Sequence, residues 1–140
     1  MPPDELKARA RRIPEEMLTQ GDLAVADEVI APDCLHHAPH AVAPGSYGLK
    51  AWVGALRRAF PDLRAIVDDE IVEGDKVVQR LVVSGTYRDP LMGAPSTGRR
   101  VSWQQVEILR AGPDGRFTER WSYEDRPGLL RHVQTGEDDA

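Results

Sequence analysis

Trp121, Tyr123 and Asp125 alternate within the stretch Arg120-Trp121-Ser122-Tyr123-Glu124-Asp125. In an extended strand that spacing puts an indole, a phenol and a carboxylate on one face. Aromatic walls desolvate a carboxylate and raise its pKa toward the range where it takes and returns a proton near neutrality. Asp125 is therefore the first candidate for acid/base chemistry. Its structural alternative is a cap or turn residue ahead of Arg126-Pro127-Gly128. Trp121 is the expected pocket wall, Tyr123 shares its face, and Glu119 of the same parity reads as a rim charge or a second acid.

Three further groups carry polar chemistry. His36, His37 and His40 stand beside Asp33 and Cys34, which invites a metal reading. In an extended segment, however, His36 and His37 diverge, Pro39 breaks the local geometry, and no helical His-x-x-x-His pair supplies ligands from one side. No metal site is expected. Arg80 shares a strand face with Val78 and Val82, an unusual place for a guanidinium unless it is paired. Asp69 is its expected cross-strand partner, and a structural ion pair and a substrate-orienting role both remain open. Gln104 and Gln105 point to opposite faces. Val106 and Ile108 suggest that even positions face inward and favour Gln104 as the pocket residue; a bulge in the five-residue loop that follows would reverse this. Trp103, Tyr47, Tyr87 and Phe117 are expected in the core. Nothing forms a phosphate-cradling glycine loop or a local Ser or Cys nucleophile signature, and Cys34 reads as a small buried hydrophobe.

The elements that must position these residues follow from periodicity. Leu6, Ala10, Ile13, Met17 and Leu18 recur at helical spacing between Asp4 and Gln20, with Pro14 expected to kink or restart the helix. Gly21 is a stop and Asp22 an N-cap for a second helix that ends before Pro32. A third helix runs from about Tyr47 to Phe60, with Leu49, Trp52, Val53, Leu56 and Phe60 on one stripe, and Pro61 closes it. After Pro61 the period falls to two. Leu63–Val72 and Lys76–Tyr87 read as a hairpin about Gly74-Asp75, pairing Val72 with Val77, Ile71 with Val78 and Asp69 with Arg80. Val101–Arg110 and Arg116–Tyr123 form a second hairpin. Helices followed by antiparallel strands predict an α+β fold: one curved sheet with helices on one face and a cone-shaped cavity between them.

Composition limits the rest. A chain of 140 residues is one domain, expected over 1–134 with an acidic, frayed tail at 135–140. Hydrophobic residues are 41% and charged residues 29%, an ordinary globular balance. The net charge of -5 argues against a phosphate-backbone partner, and a single cysteine excludes an internal disulfide framework. No apolar run reaches the roughly 18 residues of a membrane span, and the N-terminus lacks a signal-peptide pattern, so a cytoplasmic location is expected.

Several segments occur in the order seen in one family: Gln20-Gly21-Asp22-Leu23, His37-Ala38-Pro39, Ala59-Phe60-Pro61-Asp62-Leu63, Glu73-Gly74-Asp75-Lys76-Val77, Gly85-Thr86-Tyr87, Gly93-Ala94-Pro95-Ser96-Thr97-Gly98-Arg99 and Trp121…Asp125. From about Pro14 to His132 the chain resembles the SnoaL-like polyketide cyclases of the nuclear-transport-factor-two-like superfamily. It departs from their pattern at Ser96, where the family has a second proline, and at His132-Val133-Gln134-Thr135-Gly136, where the family closes on Leu-Gly. The resemblance implies a cofactor-free intramolecular aldol closure with Asp125 as acid/base. His37, at the family's His-x-Pro position, would face the cavity. Trp121, Gln104, Arg80 and Tyr123 are candidates for contacts with a small hydrophobic substrate. Epoxide opening by Asp69, Arg80 and Asp125 and a non-catalytic binding module are the alternatives. Apolar residues on both faces of Lys76–Val83 further predict a homodimer.

Overall fold

The computed structural model describes residues 1–91 and 93–125. The expected tail at 135–140 and the turn at Arg126-Pro127-Gly128 lie outside the described residues. Helix α1 spans Pro3–Arg12, a π-helix follows over Ile13–Thr19, and α2 covers Val25–Val29. Strand β1 is Ile30–His37, helix α3 Gly45–Ala59, and strands β2 to β5 are Arg64–Glu73, Lys76–Thr86, Arg100–Ala111 and Phe117–Glu124.

Pro14 acts where the pattern places it. Lacking an N–H, it cannot continue the i→i−4 ladder, so the α-helix ends at Arg12 and the chain widens into the π-helix. That widened turn still buries Ile13, Met17 and Leu18, and the hydroxyl of Thr19 donates to the Pro14 carbonyl at 2.9 Å. Gly21 stops it in the left-handed region at φ 78°. Asp22 is not the cap of α2: that helix starts at Val25 with no side-chain cap and runs for only five residues. Pro32 biases the residue before it to extended backbone, and the chain passes directly into β1.

The sheet order is β1-β5-β4-β3-β2. Strands β2 to β5 are antiparallel neighbours, whereas β1 pairs with β5 in parallel, so the sheet is mixed rather than wholly antiparallel. A parallel partner so distant in sequence has no hairpin turn to announce it. The β2–β3 hairpin has the expected register, Val72 with Val77, Ile71 with Val78 and Asp69 with Arg80, and carries one bulge between Val67 and Asp69.

The helices cover one face of the sheet. Leu6, Ile13, Met17, Val25, Leu49, Val53 and Phe60 pack with Val77, Leu81, Val83, Val101, Trp103, Leu109 and Phe117 in a single core. Tyr87 is fully buried; its hydroxyl donates to the Ala94 carbonyl and accepts from the Leu91 N–H at 2.6 Å, pinning the loop after β3. Tyr47, expected in the core, is 75% exposed. Cys34 is buried as expected, and burial pushes its thiol up to about 11. Among the described residues no helix is long and apolar enough to cross a membrane.

Candidate functional site

Strand parity decides which side chains meet the helices. On β3 the odd positions Val77, Leu81 and Val83 are buried, and their partners on β4 are Leu109, Gln105 and Trp103. Odd positions of β4 therefore face the core, and the expectation for the two glutamines is reversed: Gln105 points inward and Gln104 outward. Val106 and Ile108 misled because β4 is apolar on both faces. On β5 the register shifts between Arg110 and Ala111, a bulge that changes parity after Phe117. Beyond it Arg120 and Ser122 are buried, while Trp121 and Tyr123 turn to the open face.

The core face carries a polar row that the apolar alternation does not foretell. Glu70, Gln79, Glu107 and Ser122 are successive cross-strand neighbours from β2 to β5. Gln79 donates to Glu70 Oε2 at 2.8 Å, and Arg11 of α1 donates to Glu70 Oε1 at 3.1 Å. Next to this row Arg120 donates through Nη1 to Glu107 Oε1 at 2.5 Å and through Nε to His36 Nδ1 at 2.9 Å. The exposure of these side chains is 3% for Arg120 and 6% for Glu107.

His36 has its tautomer set by its neighbours. Its Nε2 lies 2.9 Å from the Gly45 carbonyl, which can only accept, so Nε2 carries the proton and Nδ1 is bare for Arg120. Burial, reinforced by the Arg120 charge and opposed by the Gly45 carbonyl, holds the imidazole below its ordinary range. Gly45 itself sits at φ 79°, and a Cβ there would lie 2.2 Å from the Pro32 oxygen. Only glycine brings that carbonyl to the histidine.

Further along the same face, Trp103 Nε1 donates to Gln105 at 2.9 Å, and Gln105 is paired across strands with Glu124. His40 stacks on Trp52 of α3 with ring centroids 3.6 Å apart, and its Nδ1 is 3.9 Å from Glu124 Oε1. A donor-and-acceptor wall with an aromatic end thus lines the side of the sheet that the helices cover. It can hold carbonyl and hydroxyl oxygens of a small molecule and move protons among them.

The other expected site residues have a different setting. His36 and His37 do diverge, but His37 is the one on the open face, 2.7 Å from Glu119 Oε2 and stacked on Trp121 at 5.3 Å. Arg110 binds the other Glu119 oxygen at 3.0 Å and lies 5.3 Å over the Trp121 ring. Tyr123 is 57% exposed on that face. Arg80 is also there; its shorter ion pair goes to Asp68 at 2.5 Å, with Asp69 at 3.9 Å, because the β2 bulge swings Asp68 toward it. Asp125 follows β5, is exposed, and its N–H donates to the Gln104 carbonyl at 3.1 Å. The structure thus brings His37, Trp121 and Glu119 together, and keeps them apart from the buried row.

Sequence reasoning missed Gln79, Glu107, Arg120 and Ser122, and weighed His36 only as a metal ligand. A usable signal was Gln79, a lone polar residue between Val77 and Leu81 on an otherwise apolar parity. A groove of about 690 Å³ runs between Arg11, Glu15, Thr19 and Gln20 and the edge strand β2. It is open and charged and meets the polar row only through Glu70, so we place the site on the inner wall instead.

Residues 8–133 match the family model described as SnoaL-like polyketide cyclase. The nogalonic acid methyl ester cyclase of Streptomyces nogalater is 33% identical over 110 residues, covering 76% of this chain and 81% of the relative. The aklanonic acid methyl ester cyclase of Streptomyces peucetius is 32% identical over 107 residues, 76% of this chain and 72% of the relative. Among solved structures, that of TsrD from Streptomyces laurentii superposes with a TM-score of 0.87 at 30% identity, covering 95% of this chain and 97% of the other. Mixed curved sheet, helices on one face and a match over nearly the whole length agree: the chain belongs to the SnoaL-like polyketide cyclase family.

Proposed function

We propose that this protein is a cofactor-independent polyketide cyclase that closes a ring in a small polyketide-like ester by an aldol reaction. The observation that carries the reading is the buried polar row on the helix-covered face, in a chain whose relatives are named as cyclases. In the reaction a base removes the acidic proton between two carbonyls, the resulting carbanion attacks a second carbonyl of the same molecule, and the new alkoxide takes a proton. Asp125 keeps the acid/base assignment that the family pattern gives it; it lies one residue past the end of β5, where strand parity no longer assigns its side chain to the face of Trp121 and Tyr123. Gln105, Glu124 and His40 are the groups that orient substrate oxygens, and Trp52 is the apolar wall. His37, Trp121, Tyr123, Gln104 and Arg80, being on the open face, serve contact with a second copy of the chain. A small apolar substrate and a partner subunit are the proposed partners, nucleic acid being disfavoured by the charge of -5, and the cytoplasm is the proposed location.

The test is turnover of the methyl esters on which the two relatives are named to act, followed by absorbance, in wild type and Asp125→Asn. The expected result is conversion by wild type, with undiminished binding but a loss of about a hundredfold or more in rate in the variant. Equal rates in the two proteins would remove Asp125 from the chemistry. Binding without conversion in both would leave a binding module.

A further inference from the structure

Strand β1 is held to the sheet by a short seam. Among the described residues its one strand neighbour is β5, in parallel, the ladder that is slightly weaker per residue. The register breaks between Ile30 and Leu35, so the regular pairs are Leu35 with Glu119, His36 with Arg120 and His37 with Trp121. Strands β3 and β4, by contrast, pair without a break from Lys76 to Thr86. Three histidines stand along the seam. His37 meets Glu119 at 2.7 Å, and His40 lies 3.9 Å from Glu124. His36 instead meets a cation: its Nδ1 accepts from Arg120 Nε at 2.9 Å, and Glu107 holds Arg120 from β4.

A proton added to His36 goes to Nδ1, because Nε2 already donates to the Gly45 carbonyl. Two N–H donors then face each other across one cross-strand pair, and two positive charges with them. Glu107 offsets part of the Arg120 charge, but the clash of donors remains. The other two histidines gain attraction from a proton, and by less. The His37 pair is partly exposed and screened. His40 is 8% exposed, so a charge there costs desolvation that offsets its attraction to Glu124. We infer that the β1–β5 seam is an acid-sensitive latch: protonation of His36 releases β1 from β5 while β2 to β5 stay assembled. Because α3 packs on β1, the latch governs closure of the helix-covered face.

Cys34 reports the opening, since it is fully buried on β1 and is the one cysteine of the chain. The reagent is 4,4′-dithiodipyridine, which reacts with thiols in acid, and each rate is divided by that of glutathione at the same pH. A histidine freed by opening titrates at about 6.5, so the opened fraction grows as pH falls below that value. From pH 7.5 to pH 5.5 the relative rate should rise about five- to tenfold in wild type. It should stay flat in His36→Gln, which cannot take the proton. A flat profile in wild type, or an equal rise in the variant, overturns the latch. Hydrogen exchange locates the change, and decides alone should His36→Gln fail to fold. Faster exchange at Ile30–His37 in acid, corrected for the intrinsic pH dependence, with β3 and β4 still protected, supports the latch. Equal loss of protection across the sheet is global unfolding and overturns it.

Discussion

Two arginines with the same charge and nearly the same pairing distance have opposite energetic weight. Arg80 and its aspartates are about half exposed, so solvent screens the pair, and Arg80→Ala should change stability by no more than about 1 kcal/mol. Arg120 and Glu107 are shut away from water, so Arg120→Met leaves an unpaired buried carboxylate and should cost about 3–5 kcal/mol. Urea titration of the two variants checks the contrast; similar losses would mean that burial is not what separates them. His36 supplies a pH signature. Its pKa is lowered by folding, so between that value and about 6.5 the unfolded chain holds the proton and the native one does not. Stability from this residue is present above about pH 6.5 and is lost as pH falls toward the folded value, because a proton on Nδ1 would confront the Arg120 N–H. Melting temperature should drop from pH 7.5 to pH 5.5, and the slope should flatten in His36→Gln.

The elements around the site are built from a few local decisions. Gly74-Asp75 is a two-residue turn, and it specifies the β2–β3 register one pair after another up to Asp69 and Arg80. The start of α3 is decided by Gly45, whose left-handed backbone puts its carbonyl on His36. Gly45→Ala should therefore lose about 1–3 kcal/mol from strain and from contact with Pro32. Urea titration checks this; unchanged stability would mean that the position tolerates a side chain.

For the whole molecule, the face of the sheet away from the helices is the feature still to be accounted for. Leu35, Ile66, Ile71 and Tyr123 are 48% to 57% exposed there, around Val106 and Trp121 and between the charged pairs of Arg80 and Arg110. A patch that carries both apolar side chains and charges of both signs can pack on its own image across a two-fold axis. Light scattering should give twice the chain mass of 15.5 kDa. Val106→Glu, an outward position at the middle of the patch, should yield monomers with an unchanged circular dichroism spectrum. A wild-type mass of one chain would refute the dimer.

Helix positions, the Pro14 interruption, the β2–β3 register and the α+β class were legible in the order of residues because each depends on neighbours a few positions apart. The family resemblance was legible for the same reason, as short segments in a set order. The inner wall was not. Facing on β4 is ambiguous while Val106 and Ile108 compete with Trp103 and Leu109, and only pairing with β3 resolves it. A bulge after Phe117 then reverses β5, exchanging Trp121 and Tyr123 for Arg120 and Ser122 on the core side. The parallel pairing of β1 brings His36 to Arg120 across 84 positions of chain. Contacts over such separations come from sheet assembly, where a one-residue shift moves every side chain to the other face.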